Sequence, residues 1–166
     1  MTASPPAYAL DDASLLRQCE VSTSTSGGPG GQHANKTASA VRISHRATGA
    51  VAQCHDHRDR LRNQQDALHR LRIRIAAATR GASDPAWLEP YRNGRQIALG
   101  ANAREFHLVA AAALDALAAA AGSLADAAAA LRLSTTQYAR LLTADADIRA
   151  AADAIRAANG LSAVRP

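Results

Sequence analysis

One segment of the chain combines many glycines with polar side chains that could take part in chemistry. It runs Gly27-Gly28-Pro29-Gly30-Gly31-Gln32-His33-Ala34-Asn35-Lys36-Thr37. Four glycines and a proline in five consecutive positions exclude a regular helix or strand and predict a flexible loop that is nearly free of side chains. Such a loop can enter a crevice too narrow for ordinary sequence, and what it delivers there is Gln32.

The side chain of Gln32 is an uncharged amide that neither gains nor loses a proton near neutral pH. It therefore cannot act as a nucleophile or as a general base. It suits the positioning of a water molecule and the stabilisation of developing oxyanion charge by hydrogen bonds, including one from its own backbone N–H. Gly30 and Gly31 would give the backbone the freedom to adopt an unusual conformation at this point. The other catalytic functions would come from the surroundings.

A phosphate-binding loop is a second interpretation of the same residues. Gly30 through Thr37 fits the pattern G-x-x-x-x-G-K-T, except that Asn35 stands where the last glycine would let the backbone approach a phosphate. The preceding strand is polar, and no apolar run ending in Asp supplies a second motif for Mg²⁺. We therefore expect neither nucleotide binding nor any cofactor.

Positive charge is concentrated in one part of the chain. The 166 residues carry a net charge of +5, and Lys36 is the single lysine among nineteen basic residues. Residues 17–80 hold eleven basic and four acidic groups, a net charge of +7, whereas residues 81–166 hold eight of each. Such a local surplus is typical of a nucleic-acid-binding protein, although a solvated Arg-rich surface in a GC-biased proteome would give a similar count.

Hydrophobic periodicity predicts both helices and strands in the first half of the chain. A disordered leader over residues 1–8 is followed by a short helix from Asp11 or Asp12 to about Gln18 and by a strand over residues 19–23. Residues 41–44 and 51–54 alternate as a hairpin whose turn uses Gly49. From about Asp56 to Thr79 the pattern is helical, with one stripe formed by Leu61, Gln64, Leu68, Leu71 and Ile75.

The second half is Ala-rich and predicted to be helical. A boundary region with several prolines and glycines, residues 81–103, precedes helices at about 105–121, 124–131, 134–142 and 146–158. The spacing around residues 124–142 is that of a helix-turn-helix, with Arg132 where the turn usually has glycine. Because this half has no net charge, a small helical bundle is preferred to a DNA-binding unit. The expected fold class is α+β, with domains at 1–80 and 81–166.

The glycine-rich segment and the residues after it resemble a known family. The run GGPGGQHANKTASAVRISHRATG is similar to the GGQ domain of class I peptide chain release factors, with Asn35-Lys36, Ser39-Ala40-Val41-Arg42 and Thr48-Gly49 in register. The resemblance covers about residues 10–80. It implies a small α/β catalytic domain with a short antiparallel sheet and a long helix, which reaches the ribosomal peptidyl transferase centre and hydrolyses the peptidyl-tRNA ester.

The resemblance also implies roles for individual residues and partners. Gly30, Gly31 and Gln32 would be the catalytic tripeptide, and the terminal ribose and rRNA would complete the site. The expected partners are the ribosome, through large-subunit rRNA, and peptidyl-tRNA, and a glutamine methyltransferase would act on Gln32. Basic residues of the +7 segment would bind rRNA phosphates: Lys36, Arg42, Arg46, Arg58, Arg60 and Arg62.

The sequence departs from the family pattern in three respects. The long helix has Asp59-Arg60 and Asn63-Gln64 where the family has Ser-Gln and Asn-Arg pairs. The 166 residues leave no room for domains that recognise stop codons, which favours the short, codon-independent type used in ribosome rescue. Known members of that type often end in a basic tail, whereas residues 81–166 are neutral. A non-catalytic ribosome-binding adaptor and a DNA-binding regulator remain the alternatives.

Two further features bear on location and on metal binding. The start of the chain lacks the pattern of a secretory signal or an Arg-rich transit peptide, no segment is long and apolar enough for a membrane span, and two separated cysteines suit a reducing compartment. A cytoplasmic protein is expected. Cys54 and His55 would point to opposite faces of a strand, so Cys19, Cys54, His55 and His57 are not expected to bind a metal.

Overall fold

A three-stranded antiparallel sheet forms the centre of the N-terminal part of the protein. The computed structural model describes residues 4–25 and 38–166. Strands β1 (Cys19–Ser24), β2 (Ala40–His45) and β3 (Val51–Cys54) lie in the order β1-β2-β3, with helix α1 (Asp12–Arg17) before them and helix α2 (Arg60–Ala78) after them. Asp11 caps α1 by accepting a hydrogen bond from the Ser14 N–H at 2.9 Å.

Alternation along β2 separates a core face from an exposed face. Val41 and Ile43 are fully or almost fully buried, whereas Arg42 between them is exposed. The turn between β2 and β3 places Gly49 at φ +71°, a conformation that favours glycine. The predicted strands and hairpin are therefore present. Their buried residues share the core with Leu68, Leu71 and Ile75 of α2.

The N-terminal residues differ from the expected disordered leader. Residues 7–9 form a short 3₁₀ helix, Ala7–Ala9, and the side chain of Tyr8 is fully buried. The buried guanidinium of Arg72 donates hydrogen bonds to the backbone oxygens of Tyr8 at 2.8 Å and Leu10 at 2.6 Å and pairs with Asp12 at 2.7 Å. These partners are separated by about 60 residues of sequence or more, so no local pattern could predict them.

Helix α2 begins later than its periodicity predicts, and its buried stripe is different. Asp59 precedes the first helical residue and accepts a hydrogen bond from the Leu61 N–H at 2.9 Å, which stabilises the free N–H groups of the first turn. Leu61 was expected in the buried stripe but is 61% exposed. Asn63 occupies the buried position instead, and Gln64 is half-buried. The exposed Leu61 is thus a correction to the predicted core.

The chain divides into two compact units by its internal contacts, Ala7–Ile75 and Ala76–Pro166, the latter with residues 4–6. The second unit contains a 3₁₀ helix Pro85–Tyr91, a two-stranded hairpin of β4 (Arg92–Asn93) and β5 (Gln96–Ile97), and helices α3 (Phe106–Ala119), α4 (Leu124–Ala130), α5 (Thr135–Thr143) and α6 (Ala146–Ala158). The predicted fold class, a small antiparallel sheet with a long helix followed by a helical region, is confirmed. The domain limits at 80 and 81 stay a prediction.

Alanine and leucine build most of the core of the second unit around α3. Phe106, Val109, Leu114 and Leu117 of α3 are fully buried, and the Tyr138 hydroxyl of α5 donates a 2.7 Å hydrogen bond to the backbone oxygen of Ala113. Burial raises the pKa of that hydroxyl. Within the described part of the chain, none of the helices is long and apolar enough to cross a membrane.

The residues with helix-turn-helix spacing form helices α4 and α5. Arg132 lies between them at φ +56°, the left-handed conformation for which glycine is the usual residue, and Ser134 caps α5 through the Gln137 N–H at 3.2 Å. Gln137 lies in the first turn of α5. It is half-buried, and its amide donates to the backbone oxygen of Ile97 at 3.3 Å inside the same unit.

Candidate functional site

Two paired strands carry the glycine-rich segment. The expected catalytic residues Gly30, Gly31 and Gln32, and Lys36 with them, lie outside the described residues. The structure places the residues on either side: β1 pairs with β2 from Cys19 opposite His45 to Ser24 opposite Ala40. The two ends of the segment therefore leave from the same end of the same pair of strands.

A buried side chain from α2 contacts the backbone just before β2. Asn63 has no exposed surface, and its amide nitrogen donates to the backbone oxygens of Ser39 at 2.7 Å and His57 at 2.8 Å. Its amide oxygen accepts from the His57 N–H at 2.9 Å and from the Cys54 thiol at 3.3 Å. One side chain thus joins the residue preceding β2, the end of β3 and the loop before α2.

The sequence analysis did not predict this role of Asn63. It named the residue only as part of the Asn63-Gln64 pair, which replaces the Asn-Arg pair of the family. A signal was present, because Asn63 shares one helical face with Ala67 and Leu71, four and eight residues later, and both of these are fully buried. An amide within an apolar stripe must find partners, since burying it unpaired costs about 1–3 kcal/mol.

His45 fixes the other end of β2. It is 1% exposed, its Nδ1 lies 2.8 Å from the Thr48 hydroxyl oxygen, and its Nε2 lies 3.1 Å from the Gln18 amide oxygen. Because an amide oxygen only accepts, the Nε2–H donates to Gln18 and the Nδ1 accepts from Thr48. Burial lowers the pKa of His45 below its ordinary value. His45 is thus a structural residue of the hairpin.

The described arginines of the predicted RNA-binding set lie at the surface. Arg42 projects from the exposed face of β2, and Arg58, Arg60 and Arg62 surround the start of α2. Within residues 4–25 and 38–166, these four have no carboxylate partner at ion-pair distance. Arg46 differs, because it donates to the Arg17 backbone oxygen at 3.1 Å and lies 3.8 Å from Glu20. The unpaired four can therefore bind anionic partners.

Arg70 and Arg74 were not in the predicted set but extend the same basic surface. They line a shallow groove of about 640 Å³ together with Arg42, Gln53 and His55. Arg70 donates to the Gln53 backbone oxygen at 2.9 Å, and Arg74 donates to the Val51 backbone oxygen. Both arginines therefore bind backbone oxygens of the outer strand β3. The periodicity of α2 alone could not predict these contacts with a strand.

The cysteine and histidine residues near β3 have structural partners. Burial raises the pKa of the Cys54 thiol, which contacts Asn63 and lies 3.5 Å from an Asp56 oxygen. A hydrogen bond from Arg70 at 2.6 Å lowers the pKa of Asp56. His57 lies 2.8 Å from Asp66. The part of the chain that the structure describes contains no group of three or more His, Cys, Asp or Glu residues able to hold a metal ion.

The part of the chain that contains the strand pair and the long helix matches a family model. Residues 15–106, more than half of the chain, fit the family model described as the RF-1 domain. The chain belongs to this RF-1 domain family. The matched residues include β1, the glycine-rich segment, β2, β3 and α2, so the family assignment covers every residue of the candidate site.

Similar curated proteins are bacterial peptide chain release factors. Release factor 1 of Rhodospirillum rubrum is 38% identical over 88 residues, which are 53% of this chain and 25% of that protein. Release factor 1 of Kineococcus radiotolerans is 40% identical over 80 residues (48% and 22%), and release factor 2 of Treponema pallidum is 52% identical over 60 residues (36% and 16%). This chain spans no more than a quarter of the length of these relatives.

Proposed function

We propose that this protein hydrolyses the ester bond of peptidyl-tRNA inside the ribosome and does so without recognising a codon. The observation that carries the proposal is the RF-1 domain match over residues 15–106, a range that includes Gly30-Gly31-Gln32. Two features of the structure support it. The paired strands β1 and β2 flank the glycine-rich segment, and the surface arginines that have no carboxylate partner among the described residues can bind the phosphates of an RNA-lined site.

The chemistry requires one water molecule and no cofactor. The water oxygen forms a bond to the ester carbonyl carbon, and the bond from that carbon to the ribose oxygen breaks. The ribose oxygen takes up a proton, so the products are a free peptide carboxyl group and a tRNA with its terminal hydroxyl restored. Gln32 positions the water and its backbone N–H stabilises the oxyanion, while Gly30 and Gly31 allow the backbone conformation.

Binding would rely on basic residues of the +7 segment, four of which have no carboxylate partner at ion-pair distance within the described part of the chain. Lys36, Arg42, Arg58, Arg60 and Arg62 are the proposed rRNA phosphate contacts, and Arg46 is a further one whose carboxylate neighbour is 3.8 Å away. Phosphate contacts of this kind fix position without sequence information. The proposed partners are large-subunit rRNA, peptidyl-tRNA and a methyltransferase that modifies Gln32, and the proposed location is the cytoplasm.

Codon independence is the finer part of the proposal. The family match ends at residue 106, and the residues after it form the Ala-rich helices α3–α6, in a half of the chain that carries no net charge. That helical region is not expected to inspect a codon.

The proposal is tested by release of a labelled peptide from ribosomes that hold peptidyl-tRNA and present a stop codon, a sense codon or no codon in the vacant site. We expect release at the same rate in all three cases. Release with the stop codon alone would contradict codon independence. Stable ribosome binding with no release in any case would contradict the hydrolase and favour the non-catalytic adaptor.

A further inference from the structure

The Asn63 side chain connects two regions that the proposed function uses separately. On one side it holds the backbone oxygen of Ser39 at 2.7 Å, seven residues after Gln32. On the other side it holds both backbone groups of His57, which directly precedes the exposed Arg58. From this geometry we propose that Asn63 is a positioning residue for peptidyl-tRNA hydrolysis. The inference rests on the proposed function.

Ser39 needs such support because it lies beyond the strand pairing. The last pair between β1 and β2 joins Ser24 and Ala40. Ser39, the residue before Ala40, therefore lies outside the strand pairing, on the side of the glycine-rich segment. The Asn63 amide supplies a hydrogen bond to its backbone instead. Both Ser39 and Asn63 are buried, and water therefore does not compete for this hydrogen bond.

The hydrogen bonds between Asn63 and the backbone of His57 fix the arginines at the start of α2. Asn63 lies in the first turn of the helix that carries Arg60 and Arg62, and its bonds to His57 hold the loop that carries Arg58. Phosphates bound by these arginines would therefore set the location of Asn63. Through the hydrogen bond from Asn63, the bound phosphates would also set the location of Ser39, which follows the catalytic segment in the chain.

The amide is the one functional group of this size that can make all four hydrogen bonds. It offers two donor hydrogens and an oxygen with two lone pairs. A carboxylate in the same place keeps the acceptor role towards His57 and Cys54 but has no hydrogen for the backbone oxygens of Ser39 and His57. Asn63→Asp therefore replaces two attractive interactions by repulsive ones without a change of shape.

The test compares Asn63→Asp with Leu15→Ala, a change of a fully buried residue of α1 that takes no part in these hydrogen bonds. Peptide release from ribosomes is measured at a temperature at which both variants are folded by circular dichroism. We expect Asn63→Asp to lower the rate constant at saturating protein by about 10- to 100-fold, because the reacting group is displaced. The half-saturating concentration should change much less than the rate constant, because Arg58 is the only proposed rRNA contact in the loop that the His57 bonds hold. Leu15→Ala should keep the wild-type rate constant.

A rate constant for Asn63→Asp equal to that of Leu15→Ala would overturn the proposal. Asn63→Ser, which adds no charge to the core and retains one donor, covers the case in which Asn63→Asp does not fold. It should also lower the rate constant, and a wild-type value would overturn the proposal as well.

Failure of the proposed function is distinguishable from failure of the positioning role. If the wild-type protein releases no peptide, hydrogen exchange of the backbone amides of residues 38–41 still tests the role of Asn63. Faster exchange in Asn63→Ser than in the wild type supports the positioning role. Unchanged exchange would contradict it.

Discussion

His45 shows how one buried side chain makes the stability of the protein depend on pH. Its Nδ1 accepts a hydrogen bond from the Thr48 hydroxyl, and the Thr48 backbone N–H points to the same nitrogen at 3.4 Å. A proton on Nδ1 would therefore face a second donor. Burial already favours the neutral ring, which lowers the pKa of His45 in the folded protein below its ordinary value of 6.5.

We predict a loss of stability as the pH falls from about 7.5 to about 5, the range around the ordinary pKa of histidine. The unfolded chain protonates this histidine first, at its ordinary pKa, so it binds more protons than the folded protein. The contribution of the neutral His45 is complete above that pKa and declines as the pH falls through the lower folded value. Asp11, Asp56 and Glu89, whose pKa values are also lowered, act at more acid pH.

Urea unfolding at a series of pH values checks this prediction. His45→Gln should reduce the slope of the unfolding free energy against pH in this range, and should cost about 1–3 kcal/mol near neutral pH because its hydrogen bonds are removed. His55→Gln, at an exposed position, is the matched control and should keep the wild-type slope. An unchanged slope in His45→Gln would show that another group causes the pH dependence.

At the scale of elements, local sequence signals predicted most of the secondary structure. Asp11 and Ser134 as helix caps and Gly49 in the hairpin turn act on residues within a few positions, and the structure has all three in these roles. The last helix, Ala146–Ala158, has the bounds that its pattern predicts. Such features could be predicted because their energetics are local.

The features that the sequence did not predict are contacts of single residues with partners distant in sequence. Tyr8 is ordered by Arg72, and Asn63 is buried because Ser39 and His57 offer partners. Arg70, which is absent from the predicted RNA-binding set, binds the backbone of β3. In each case a polar group from α2 satisfies a backbone oxygen of another part of the chain. Hydrophobic periodicity contains no information on such bonds.

The start of α2 also explains one departure from the family pattern. Asp59 stands where the family has serine, and it accepts the Leu61 N–H as a helix cap. Serine and aspartate are both favourable caps, so the element keeps its beginning despite the change. The charged residues that follow, Arg60 and Arg62, are therefore held on a well-defined first turn.

We predict that the arginines around this first turn dominate the salt dependence of ribosome binding. Replacing Arg58, Arg60 and Arg62 together by Gln should make the slope of log affinity against log salt concentration less negative by about 2–3, close to one for each phosphate that is no longer neutralised. The matched control replaces three exposed arginines of the second unit by Gln: Arg132, Arg140 and Arg149. Equal changes in both variants would contradict the assignment of the RNA surface to α2.

At the scale of the whole molecule, charge and family membership coincide. The +7 of residues 17–80 falls within the region that the RF-1 domain match covers, whereas residues 81–166 are neutral. The fold class and the family could thus be predicted from the sequence, the family from a motif of a few residues. The role of the helical region could not be predicted in the same way, because an Ala-rich helix pattern is compatible with many partners.

The most direct test of the proposed mechanism compares peptide release by the wild type, Gly31→Ala and Gly100→Ala. Gly100 has open space where a Cβ would be added and no left-handed backbone, so its replacement controls for a glycine-to-alanine change as such. We predict that Gly31→Ala binds ribosomes like the wild type but releases peptide about 100-fold more slowly, because the oxyanion-stabilising N–H is displaced. Gly100→Ala should release at the wild-type rate. Equal release by Gly31→Ala and the wild type would contradict the assignment of Gly30, Gly31 and Gln32 as the catalytic group.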